Sequence, residues 1–152
     1  MIGSPSLADF GVILLAGLTS GVLDITCTLT LNKLKGTAPT RTLQAIASGL
    51  LGPKSFAGGR STAALGLGFH FVIAVVAAAV YYIASRKLGV LVEYAVLCGI
   101  LYGIAVHLFM SFIVLPLSSL KRPFSGKFFA TQLVIHMFFV GLPISLIVRH
   151  FA

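Results

Sequence analysis

The chain has 152 residues, of which 58% are hydrophobic and only 9% charged. Soluble domains carry about 25% charged residues, so the sequence lacks the polar surface that water demands. The net charge of +8 raises nucleic acid as a partner, but Lys and Arg stand at the ends of apolar segments rather than in a groove-like patch. That placement excludes nucleic acid and points to anionic lipid headgroups.

Met1 to Asp9 has no basic region and no small-residue cleavage pattern follows it, so the first apolar run reads as a retained helix rather than a signal peptide. Four apolar segments follow one another: about Phe10 to Leu31, Ser61 to Ser85, Leu91 to Leu117 and Phe128 to Val148. Each is long enough to cross a hydrocarbon core of ~30 Å at 1.5 Å per residue. None shows the alternation of a strand. The fold class is therefore all-α: an integral membrane four-helix bundle forming a single transmembrane domain.

The first connection, Asn32 to Arg60, is long and patterned. After Pro39, Thr40 caps a helix of about residues 40–51. In it Leu43, Ile46, Ala47, Leu50 and Leu51 share one face at helical spacing. Gly49 or Gly52 followed by Pro53 ends it. This reads as an amphipathic helix lying at the inner interface; a re-entrant segment with Gly58-Gly59 as its flexible exit is the sharper alternative. Gly58-Gly59-Arg60-Ser61 follows no strand and lacks the spacing of a phosphate loop.

Basic residues set the orientation. The first and third connections carry Lys33, Lys35, Arg41, Lys54, Arg60, Lys121, Arg122 and Lys127, against Arg86, Lys87 and Arg149 on the other side. The positive-inside rule places those two connections in the cytoplasm as headgroup anchors, with both termini outside. Phe124, Phe128 and Phe129 interleave with the third set, and Tyr81, Tyr82 and Tyr94 fall where an outer aromatic belt belongs. Cys27 and Cys98 each lie within an apolar run, at different depths, and read as small buried side chains.

Each span carries one ionisable side chain well inside it: Asp24, His70, His107 and His136. Counted from the inner ends at 1.5 Å per residue, all four lie ~10–15 Å deep and share a layer. Small and polar residues line the same helix faces. They are Gly17, Ser20, Gly21 and Thr28 in the first span, Gly66 in the second, Gly99, Gly103 and Ser111 in the third and Gln132 in the fourth. Small residues at this spacing let membrane helices approach closely, so the ionisable groups point into the bundle. A charged carboxylate at that depth costs about 2.5–3.5 kcal/mol on insertion scales, so Asp24 needs a partner or a proton.

Gly68-Phe69-His70-Phe71 with the run to Tyr81-Tyr82, Val106-His107-Leu108-Phe109-Met110-Ser111-Phe112 leading to Leu115-Pro116-Leu117, and Ile135-His136-Met137 leading to Arg149 together resemble the YagU-like family. These are bacterial inner-membrane proteins whose activity is not established. The resemblance covers about residues 60–150. It implies a multi-pass helical architecture in a bacterial inner membrane, and it implies no reaction.

Three functions fit the layer. It can be a hydrogen-bonded knot in a non-enzymatic scaffold or accessory, partner-binding subunit, either a homo-oligomer or part of a larger membrane complex. It can hold a transition metal or haem, with His70, His136 and Asp24 as the ligand candidates, although the sequence requires no cofactor. It can move protons or ions, which four thin helices would do only in an oligomer. No Ser/His pair or His-Glu-x-x-His motif supports an enzyme.

Overall fold

The computed structural model describes residues 6–119 and 125–152. The expected anchors Lys121 and Arg122, with Phe124, lie outside the described residues. Helix α1 spans Leu7–Leu34, α2 Pro39–Leu51, α3 Gly59–Ser85, α4 Ala95–Leu117 and α5 Gly126–His150. All regular structure among the described residues is helical, and α1, α3, α4 and α5 are each long and apolar enough to cross a membrane.

The helix ends follow from local chemistry. Ser6 caps α1, its hydroxyl accepting from the Asp9 amide at 3.2 Å while the Asp9 carboxylate accepts from the Ser6 amide at 2.7 Å. This reciprocal box extends α1 three residues beyond the expected start. Gly36 stops the helix at φ +84°, a left-handed conformation that glycine adopts without strain. Pro39 opens α2, where its missing amide hydrogen costs nothing.

Where one helix was expected over residues 91–117, the chain forms a single turn, Val90–Glu93, and then breaks at Tyr94 before α4 begins. Side chains take the carbonyls at the break: the Tyr81 hydroxyl donates to Leu91 O at 2.9 Å, and the Cys98 thiol lies 3.6 Å from Val90 O. Both α4 and α5 also widen into a π-helical turn, at Met110–Val114 and His136–Gly141. Each lies just ahead of a proline, Pro116 or Pro143. A proline ring collides with the carbonyl four residues back, and widening the preceding turn relieves the collision without breaking the helix.

Packing runs through glycines. A Cβ on Gly17 would stand 2.6 Å from the Val75 backbone, and one on Gly21 would stand 2.9 Å from the Phe71 ring, so α1 lies tight against α3. Gly99, Gly103 and Gly141 bring α4 and α5 together, with Gly141 directly on the Gly99 and Gly103 backbone. α1 also packs on α5, which makes α1 and α5 the centre of the arrangement. α4 is peripheral: 11% of its most apolar stretch is buried, against 28–33% in the other three spans. It meets α3 through Tyr102, whose hydroxyl donates to Ala77 O at 2.7 Å and whose ring sits 5.0 Å from that of Tyr81.

The helix expected over residues 40–51 is α2, and its faces are arranged as a membrane-level helix requires. Thr42, Gln44, Ala47 and Ser48 are buried, whereas Leu50 and Leu51 face outward. The polar and small face docks on the protein. Asn32 of α1 donates to the Thr42 hydroxyl at 3.3 Å, Gln44 donates to Gly59 O at 3.0 Å, and the Ser119 amide donates to Gly49 O at 2.8 Å. α2 therefore straps α1, α3 and α4 together at one end of the bundle. Gly66 belongs to this contact, since it faces the Leu43 carbonyl and the Ala47 amide of α2 rather than another span.

Candidate functional site: a polar layer across the bundle

Asp24 follows Gly17 and Gly21 along the α1 face pressed on α3, and the same contact brings His70 of α3 to it. Asp24 is 8% exposed. Its Oδ2 lies 3.8 Å from His70 Nδ1, too long for a direct hydrogen bond. The other nitrogen of His70, Nε2, lies 2.9 Å from Gly21 O. A carbonyl only accepts, so Nε2 carries the hydrogen. His70 Nδ1 and Asp24 then face each other as imidazole and carboxylic acid or as imidazolium and carboxylate. Either form is neutral overall when the pair holds one further proton.

The second half of the layer is built by α4 and α5. His107 is 4% exposed, and its ring packs at 5.0 Å between centroids on that of His136 and at 4.6 Å on Phe129. Ser111 Oγ stands 3.5 Å from His107 Nε2, at the outer limit of a hydrogen bond. His136 Nδ1 lies 2.8 Å from Gln132 O and so donates to it, leaving Nε2 with the lone pair of a neutral ring. His136 also stands within electrostatic reach of Asp24. The layer thus consists of two side-by-side contacts between helices, His70 with Asp24 and His136 with His107.

The supporting residues divide. Ser20 is fully buried and donates to Gly17 O of its own helix at 3.1 Å, so it fills space without reaching Asp24. Thr28, one turn beyond Asp24, is half-buried. Gln132 serves the layer through its backbone carbonyl. Gly17, Gly21 and Gly103 lie where the layer's helices touch, Gly103 against the backbone of His136 and Met137; Gly99 lies a turn away against Ser145. Asp24 Oδ1 is buried and has no hydrogen-bond partner among the described residues. No three His, Cys, Asp or Glu side chains converge as a metal set among those residues. His107 and His136 touch each other, which leaves no slot for a porphyrin between them. Cys27 and Cys98 are both free thiols.

A second polar group lies at the opposite end. The Tyr82 hydroxyl donates to the Asp9 carboxylate, tying the start of α1 to the end of α3. Tyr81 and Tyr102 each give their hydroxyls to backbone carbonyls, and Ser145 is fully buried beside Gly99. The sequence marks this group only faintly. Ser6-x-x-Asp9 is a legible capping box, and Gly141 with Ser145 is a small pair at four-residue spacing. Neither signal names its partner across the bundle.

Lys33, Lys35, Arg41, Lys54, Arg60 and Lys127 are all exposed at the end of the bundle that carries α2. The Arg41 guanidinium lies over the Phe56 ring at 4.0 Å, which ties the start of α2 to the turn that follows it. Four apolar spans, an interior of small residues and a polar layer define the class: this is a multi-pass helical membrane protein. A comparison with known protein families, with curated proteins and with solved structures finds no match to the chain.

Proposed function

We propose that the chain is a non-enzymatic scaffold or accessory subunit of a bacterial inner membrane, its helices fastened by the Asp24, His70, His107 and His136 layer. The observation that carries this is the use of the ring nitrogens. His70 gives one hydrogen to the backbone of the helix it packs on, and His136 gives one to its own α5 carbonyl. The His70 link holds α1 and α3 in register, such links contributing about 0.6 kcal/mol each in membrane bundles. The His136 link fixes the ring that packs on His107 of α4. The basic connections then face the cytoplasm and both termini face outward, and the resemblance to the YagU-like family suits that setting. Partner binding falls to the lipid-facing spans, within a homo-oligomer or a larger complex. The test is paired. His70→Ala and His136→Ala should lower the unfolding temperature in detergent, and proteoliposomes should show no proton flux that depends on Asp24. A flux abolished by Asp24→Asn would overturn the scaffold reading.

One observation favours a second reading, proton or ion movement through the layer of an oligomer. Asp24 Oδ1 is buried without a partner and His136 has an open nitrogen nearby, and buried intramembrane carboxylates of this kind mark proton and ion sites. The same flux measurement separates the two. No comparable observation favours bound metal or haem.

A further inference from the structure

Where the start of α4 meets the end of α5, a cavity of about 400 Å³ opens on the surface, lined by Glu93, Tyr94, Val96, Leu97, Ile100 and Arg149 among others. Its charges are confined to one end. Glu93 ends the turn before α4 and Arg149 lies in the last turn of α5, so both stand at the ends of spanning helices, at headgroup depth. Val96, Leu97 and Ile100 lie within the first two turns of α4, up to ~8 Å deeper at 1.5 Å per residue. Opposite charges over an apolar wall match the profile of one lipid leaflet.

Glu93 and Arg149 form no ion pair, with each other or with other side chains, among the described residues. An acid and a base that line one groove without pairing complement a ligand that carries both charges. We propose that this groove binds an aminophospholipid of the phosphatidylethanolamine type, its phosphate on Arg149, its ammonium on Glu93 and an acyl chain along Val96, Leu97 and Ile100. A guanidinium forks onto phosphate oxygens, and a carboxylate accepts from the N–H bonds of a primary ammonium. Phosphatidylcholine offers no N–H to Glu93, and phosphatidylglycerol offers no cation. The headgroup chemistry therefore sets the preference. The groove is remote from the Asp24 layer, and its binding does not depend on what that layer does.

Native mass spectrometry of the full chain in mild detergent tests this, with equimolar phosphatidylethanolamine, phosphatidylcholine and phosphatidylglycerol of identical acyl chains. One charge-assisted hydrogen bond predicts retention of phosphatidylethanolamine about tenfold over the other two. Glu93→Gln should bring it down to the phosphatidylcholine level with the helical spectrum unchanged, while Glu93→Asp keeps the preference. Arg149→Gln should weaken retention of all three. Equal retention of the three lipids by the native chain, or an undiminished preference in Glu93→Gln, would overturn the assignment.

Discussion

Gly66 and Gly68 stand two residues apart on α3 and should respond to the same substitution with opposite signs. A Cβ on Gly66 runs into the Leu43 carbonyl and the Ala47 amide of α2, whereas a Cβ on Gly68 meets nothing within 4 Å. At Gly66 the obstacle is backbone, so no rotamer change relieves it and α2 must move off α3. Overpacking of this kind costs about 1–3 kcal/mol. That displacement also loosens the Gln44 to Gly59 and Ser119 to Gly49 hydrogen bonds, which pushes the loss to the upper end of the range. At Gly68 the added methyl only removes backbone freedom from the unfolded chain, a gain of about 0.5–1 kcal/mol in a helix. Unfolding titrations in mixed micelles should therefore show Gly66→Ala destabilised and Gly68→Ala neutral to stabilised. Thiol labelling of Ser48→Cys, which replaces a fully buried side chain, should speed up only in the Gly66→Ala background. Equal shifts for the two alanines, or unchanged labelling, would refute a docked α2.

Three further outcomes follow from the polar contacts. In a double-mutant cycle of Asp24→Asn with His70→Ala, the 3.8 Å pair predicts a coupling of about 0.5–1.5 kcal/mol by unfolding titration; strict additivity would mean that the two do not interact. Tyr82→Phe removes the hydrogen bond to Asp9 and should cost about 1 kcal/mol, whereas Asp9→Ala also removes the Ser6 cap and should cost about 2 kcal/mol. The double variant should be little worse than Asp9→Ala alone, read from the same titrations. Gly141→Val sets a branched side chain against the backbone of Gly99 and Gly103 and should detach α4 from α5. It should lower the unfolding midpoint more than Gly11→Val, whose Cβ meets nothing.

The spans were legible because length and hydropathy are local properties: three of the four begin and end within three residues of the reading from composition. The fourth began late because Tyr94 breaks the helix, and the signal for that break is a hydroxyl on Tyr81 of another helix. A shared depth for Asp24, His70, His107 and His136 was an expectation open to the same reading, since depth is a residue count. Neighbourhood was not legible. That Asp24 pairs with His70 while His107 stacks on His136 depends on which glycine meets which backbone, and small-residue stripes do not name their partners. Gly66 illustrates this. It shares a stripe with His70, yet it serves α2, because a helix without a spanning segment's length also needs a close-packed seat.

The geometry of the layer bears directly on what it can do. A relay across a membrane needs titratable groups spaced in depth, and these four are spaced sideways. Beyond Ser20, the hydroxyl toward the opposite end is that of Tyr102, five residues before His107, or ~7.5 Å along the helix. It donates to Ala77 O and packs on Tyr81. Between them Gly103 is closed against the His136 backbone and Ser20 is turned back onto Gly17. A proton reaching Asp24 therefore meets the His70 imidazole beside it and packed backbone toward the Tyr102 end. Such an arrangement can store a proton, or change how α1, α3 and α5 hold together when it does. Conduction through one chain requires the Gly103 contact to open, and that contact helps, with Gly99 and Gly141, to fasten α4 to α5.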